Sequence, residues 1–184
     1  MKTVISLSAV IVWAACAVAQ STPQRQPMDQ MHGGCDNYAA NLKTEMQLMS
    51  MTPIEVTAAA DAEGAPPVQT SRALLVDLLP QAQVHFAVQP SQDRGGPDRR
   101  AGLLSLGALT PGDWRISVDR FAWIDMSASG RLLPTPSFEM QTGCATIFKT
   151  VVFHVPETEP VILQLSGAGS PSVRLLITPA GQNR

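Results

Sequence analysis

The amino-acid sequence predicts a mainly β fold: an antiparallel β-sandwich, jelly-roll-like, with one short N-terminal helix. Two observations carry this. From Arg72 onward, short apolar runs alternate with polar residues at a period of two, and clusters of Pro, Gly, Asp and Ser separate the runs every ~8–12 residues. The 184-residue chain also holds 15 Pro, which argues against a long helical bundle or coiled coil. With 45% hydrophobic and 15% charged residues, the composition suits one globular domain rather than a charge-rich disordered chain. A net charge of −2 gives no electrostatic reason to expect a nucleic-acid partner.

The N-terminus reads as an export signal, Met1–Ala19. Met1 and Lys2 make a positive start, Val4 to Ala15 an apolar stretch, and Ala17-Val18-Ala19 a small-residue cleavage site. The stretch falls short of the ~20 apolar residues that span a bilayer, so no stable membrane span is expected after its removal. Lipid modification at Cys16 is an alternative, although Trp13 stands where a small aliphatic residue is preferred; a retained anchor is another. Cleavage leaves a net charge of −3, because Lys2 is the one charged residue lost. It also leaves two cysteines, Cys35 and Cys144, an even pair that in an oxidising compartment reads as a disulfide. The expected location is the periplasm.

Residues 20–34 lack apolar periodicity and read as a flexible tether. Tyr38, Leu42, Met46 and Met49 then recur at helical spacing, predicting an amphipathic helix over Asn37–Met49 with Asp36 as its N-cap and Pro53 beyond its end. Asp61 to Thr70, with Pro66-Pro67, reads as a loop or arm.

Strands follow. Ala73–Leu79 is an apolar run closed by Pro80, and Val84, Phe86 and Val88 alternate with polar or small neighbours before the polar stretch Ser91–Arg100. Leu103–Leu109 leads through Thr110-Pro111-Gly112-Asp113 into the alternation Trp114, Ile116, Val118. Phe121–Met126 is closed by Ser127-Ala128-Ser129-Gly130. Ile147, Lys149, Val151, Phe153 and Val155 share one side of a long strand, and Val161–Leu165 and Val173–Ile177 complete the set. Residues 35–179 therefore form one domain, followed by a short tail at 180–184. Leu103–Asp119 echoes Val151–Gly167, each an apolar strand, a Pro-containing turn and a second alternating strand, which suggests two similar hairpins.

Candidate chemistry is sparse. Met28, Met31 and His32 form an M-x-x-M-H tract whose soft thioethers suit Cu(I), while Met46 and Met49 share the helix face with Leu42 and read as packing. His85 and His154 lie on expected strands and would need to meet, with a carboxylate, to hold iron. No Ser or Cys has the frame of a catalytic nucleophile, and no glycine pair has the strand-to-helix setting that cradles phosphate, so no cofactor is expected. Arg94 and Arg99 sit in a mixed-charge loop that could form a binding rim, and Trp123 with Asp125 could form a binding surface. Trp114 shares a face with Ile116 and Val118 and reads as core.

The stretches CDNYAANLKTE at 35–45, PGDWRISVDRFAWIDM at 111–126, GCATIFKTVVFHV at 143–155 and LQLSGA at 163–168 resemble a family of small exported proteobacterial proteins without an established function. The resemblance spans most of residues 35–178 and implies that Cys35, Cys144 and Trp123-Ile124-Asp125 are recurrent features. Some such proteins carry the label homogentisate 1,2-dioxygenase, an iron enzyme richer in histidine than this chain. The alternating strands also resemble bacterial pre-peptidase C-terminal β-sandwich domains at the level of fold. The expectation is a non-catalytic binding or accessory module of the cell envelope, whose partner is an envelope protein or a glycan. The alternatives are a metal-dependent oxygenase using His85 and His154, and a copper-binding protein using Met28, Met31 and His32.

Overall fold

The computed structural model describes residues 24–25 and 27–181. The expected export signal at 1–19, with Cys16, lies outside them, as do residues 20–23, 26 and 182–184. Along the chain come β1 (Gln24–Arg25), α1 (Lys43–Met49), β2 (Ile54–Thr57), β3 (Leu74–Asp77), β4 (Leu79–Pro80), β5 (Arg100–Leu109) and β6 (Gly112–Val118). Then follow β7 (Trp123–Ala128), β8 (Arg131–Leu132), β9 (Ser137–Met140), β10 (Lys149–Val155), β11 (Glu159–Ala168) and β12 (Ser172–Pro179).

The strands form the expected sandwich. One sheet runs β1-β9-β10-β6-β12-β3-β2 and the other β4-β5-β11-β7-β8. Pairing is antiparallel except at the two ends of the larger sheet, where β1 lies parallel to β9 and β2 parallel to β3. Period-two alternation makes the central core. Ile116, Val118, Val151, Phe153, Leu175 and Ile177 from the larger sheet meet Leu104, Ile124, Met126, Leu163 and Leu165 from the smaller one. Burial of each such side chain contributes about 1.5–3 kcal/mol.

Both outer faces are also covered, so alternate positions on the strands become two satellite cores. On the larger sheet, Leu176 and Ile147 pack with Tyr38, Leu42 and Met49 of the α1 segment. On the smaller sheet, Ala101 and Leu103 pack beneath Val84 and Phe86.

Several expectations shift in the structure. The helix spans Lys43–Met49, not Asn37–Met49, and Asp36 lies in a 3-10 turn, Cys35–Asn37, instead of capping it. The backbone N–H groups of Ala39 and Ala40 donate to the Glu139 carboxylate, and the Tyr38 hydroxyl donates to the Ile147 carbonyl at 2.7 Å. Tyr38 is extended (φ −69°, ψ 132°), which breaks the helical path ahead of Leu42, while Tyr38, Leu42 and Met49 still bury the expected face.

Residues 84–88 form no strand. Val84 turns inward and Phe86 and Val88 are half-buried, so the alternation is real, but no neighbouring strand supplies a ladder. The Gln164 side-chain amide substitutes for one: its Oε1 accepts from Val88 N–H and its Nε2 donates to Val88 C=O, both at 3.0 Å. Residues 81–96 are therefore a strap laid across the smaller sheet.

The two echoed segments are not hairpins. β5 and β6 belong to different sheets, as do β10 and β11, so each segment is an arch that crosses the sandwich. The arches stack, with β5 paired to β11 and β6 to β10. The tight hairpin lies at β7–β8, where Ser129 (φ 48°) and Gly130 (φ 72°) supply the two left-handed residues of a two-residue turn.

Candidate functional site

The strap positions the most distinctive side chains. On β7, Ile124 and Met126 point into the core, so Trp123 and Asp125 face the opposite way, toward the strap. The two oxygens of Asp125 accept the backbone N–H of Ser91, at 3.1 Å, and its hydroxyl. The same hydroxyl oxygen accepts the Trp123 indole N–H at 2.9 Å. This chain of bonds explains how Asp125 is tolerated at 5% exposure.

Beside it opens a cleft of about 270 Å³, at the edge where β7 of the smaller sheet approaches β9 and β10 of the larger. Trp123, Ile124, Phe138 and Val151 give it apolar walls, and Lys149 and Asp125 are its charged groups. Lys149 begins β10 on the side that turns inward with Val151 and Phe153, and it is 7% exposed. Its ammonium lies 4.6 Å from the Trp123 ring centroid and donates to the Ala122 carbonyl at 3.4 Å. The Arg94 guanidinium approaches the same ring at 5.2 Å. Burial pushes the Lys149 amine down from 10.5 to about 8; Asp125 opposes that fall and Arg94 adds to it.

The expected site residues divide accordingly. Trp123 and Asp125 line the cleft, and Arg94 stacks on Trp123 at its rim. Arg99 is directed elsewhere, to the Gly167 carbonyl at 3.5 Å. Trp114 is in the central core, as its alternation indicates. Cys35 and Cys144 are joined, with Cα atoms 4.5 Å apart.

The metal candidates do not converge. His85 is exposed on the strap over the smaller sheet, whereas His154 is on the outer face of the larger sheet, where its Nδ1 lies 2.8 Å from Asp113 Oδ1. His32 Nδ1 faces the Thr142 hydroxyl at 3.3 Å. Met28 and Met31 bound a 3-10 turn, and the Met31 carbonyl accepts the Thr142 N–H. Among the described residues no three His, Cys, Asp or Glu side chains group as metal ligands. Of the expected tether, residues 30–33 are fastened to the fold: the buried Gln141 amide donates to Gln30 C=O and accepts from Gly33 N–H.

Lys149, Ser91 and Phe138 escaped sequence reasoning. Lys149 carried a readable signal, because a lysine in register with Ile147, Val151, Phe153 and Val155 occupies a core position and needs a reason. Ser91 carried none, since a serine opening a polar loop has many unremarkable explanations.

Compared with known protein families, the chain matches no family model, and no curated protein matches it. No helix among the described residues is long and apolar enough to cross a membrane.

Proposed function

We propose that the chain is an exported, non-catalytic binding protein of the cell envelope, and that the Trp123 cleft takes a small apolar ligand carrying a carboxylate. One observation carries the reading: the Lys149 ammonium is buried among apolar walls and, among the described residues, has a single hydrogen-bond acceptor, the Ala122 carbonyl at 3.4 Å. An ammonium offers three donors; one goes to Ala122 and the Trp123 ring covers one side, which leaves donor capacity for a ligand. With Arg94 and Lys149 against Asp125, the local balance is one positive charge, which an anionic ligand neutralises. The apolar walls suit the ligand's body. A glycan fits less well, because the Trp123 face that a sugar would stack on is engaged by two cations.

Export and a periplasmic location rest on the Met1–Ala19 pattern, on the family resemblance and on the Cys35–Cys144 bond, which an oxidising compartment favours. The iron reading lacks support, since His85 is on the strap over the smaller sheet and His154 is on the outer face of the larger one.

Titration of the periplasmic protein with octanoate and phenylacetate, followed by Trp fluorescence, tests the cleft. Saturable binding of either probe is expected, with affinity falling at least ~10-fold in Lys149→Met, the scale of one charge-assisted hydrogen bond. No saturable response to either probe, or equal affinity in the variant, would overturn the reading. The mass of the same preparation tests export, since an intact Met1 would refute cleavage.

A further inference from the structure

A second cleft lies on the other side of the larger sheet. It measures about 600 Å³ and opens between α1 and the outer faces of β6 and β12. Its lining includes Asn41, Lys43, Glu45, Ser71, Arg115 and Thr178. Strand register builds its floor: Arg115 of β6 lies directly opposite Thr178 of β12, on the face away from Trp114 and Ile116.

Arg115 is the unusual group. Its side chain is 8% exposed, and its buried Nε–H has no hydrogen-bond partner among the described residues. A guanidinium carries five donors in a fixed plane, and an unsatisfied buried donor costs about 1–3 kcal/mol. The nearest acceptors stand back from it. Glu45 Oε1 is 3.6 Å from Nε, beyond hydrogen-bond reach, and Thr150 Oγ1 is 3.5 Å from Nη1. Glu45 also receives the Thr178 hydroxyl at 3.4 Å, another long contact. A buried ion pair of this looseness does not repay the desolvation of its charges. The Nε–H is therefore a donor without an acceptor, closed to solvent beside Glu45, in the wall of a cleft with room for a molecule.

We infer that this cleft is a binding site for a small oxyanion, a carboxylate or a phosphate, which displaces Glu45 to reach the Nε edge of Arg115. The Arg115 fork matches the planar or tetrahedral oxygens of such a ligand. Lys43, exposed at the rim, brings the charge balance of Arg115, Lys43 and Glu45 to one positive. Asn41 and Ser71 line the same cleft and add neutral donors. Glu45 competes with the ligand for Arg115 and limits its affinity.

That competition supplies the test. In the full-length exported protein, the Arg115 Nε–Hε resonance is followed by NMR during titration with acetate and with inorganic phosphate, against chloride at matched ionic strength. A saturable shift with acetate assigns the site to carboxylates, and one with phosphate assigns it to phosphorylated ligands. Glu45→Gln should tighten the binding several-fold by removing the competing charge, and Arg115→Lys, which keeps the charge and loses the planar fork, should abolish it. The wild-type and Glu45→Gln titrations decide the matter even if Arg115→Lys fails to fold. Responses no larger than those to chloride would overturn the inference. So would weaker anion binding in Glu45→Gln, because Glu45 would then be part of the site's support instead of its competitor. The Trp123 cleft takes no part in these readouts, so the two sites stand or fall separately.

Discussion

Lys149 joins stability and binding in one side chain. Its folded pKa, about 8, lies below the ordinary 10.5, so between those values the unfolded chain holds a proton that the folded chain has released. Stability must therefore rise with pH through that window, by an amount on the order of 3 kcal/mol for a single group. Tyr38 acts in the opposite sense at higher pH. Burial raises its pKa above 10.0, so its contribution is full below pH 10 and is lost as the pH climbs beyond it. Urea unfolding should thus show stability increasing from pH 8 to about 9.5 and turning over above 10. Lys149→Met should flatten the rise and be more stable than the parent at pH 7, since it removes a buried charge, while losing the carboxylate probes. A parent protein whose stability is flat between pH 8 and 9.5 would show that Lys149 titrates normally. At this scale the sequence was half legible: Cys35, Cys144, Trp114 and the inward phase of β10 followed from pattern. The hydrogen bonds of Ser91 did not, because they depend on where the strap crosses Asp125.

Among the elements, legibility followed the source of each one's hydrogen bonds. β6, β7, β10, β11 and β12 were visible because alternation and ladder coincide in them. The strap has alternation without a ladder, and the α1 segment has helical spacing with an extended residue, Tyr38, ahead of the helix. β1, β2, β8 and β9 were missed because strands of two to four residues are too short to establish a period. Beside the Ser91–Asp125 bonds, the strap is held at the Gln164 amide and at Gly167. Gly167 has φ 64°, and a β-carbon there would stand 2.4 Å from Arg94 Cβ. Gln164→Leu strands both polar groups of Val88, and Gly167→Ala adds backbone strain and a clash. Both should loosen the strap while leaving the sandwich folded. Trypsin should then cut at Arg94, Arg99 or Arg100 at least ~10-fold faster than in the parent, with far-ultraviolet circular dichroism unchanged. Equal cleavage rates would mean that Val84, Phe86 and the Ser91–Asp125 bonds hold the strap without these anchors.

Across the whole molecule, the three cores are separate, and that separation decides what the disulfide stabilises. The Cys35–Cys144 bond spans 109 residues, and closing a loop of that length is worth roughly 4–5 kcal/mol in the chain-entropy model. Yet the N-terminal segment it ties down contributes to the satellite core of Tyr38, Leu42, Met49, Ile147 and Leu176, not to the central core between the sheets. The central core is drawn from both sheets by alternation alone and contains neither cysteine. Removing the bond in Cys35→Ala/Cys144→Ala should therefore lower the opening free energy of residues 35–50 first. Hydrogen exchange should show their amides losing protection while those of β6, β10 and β11 retain most of theirs, so that unfolding departs from a single two-state transition. The Arg115 cleft, roofed by α1, should be lost with that segment, whereas the Trp123 cleft, built from β7, β9, β10 and the strap, should survive. Uniform loss of protection across all strands would instead make the N-terminal segment part of one cooperative unit, with the disulfide stabilising the sandwich as a whole.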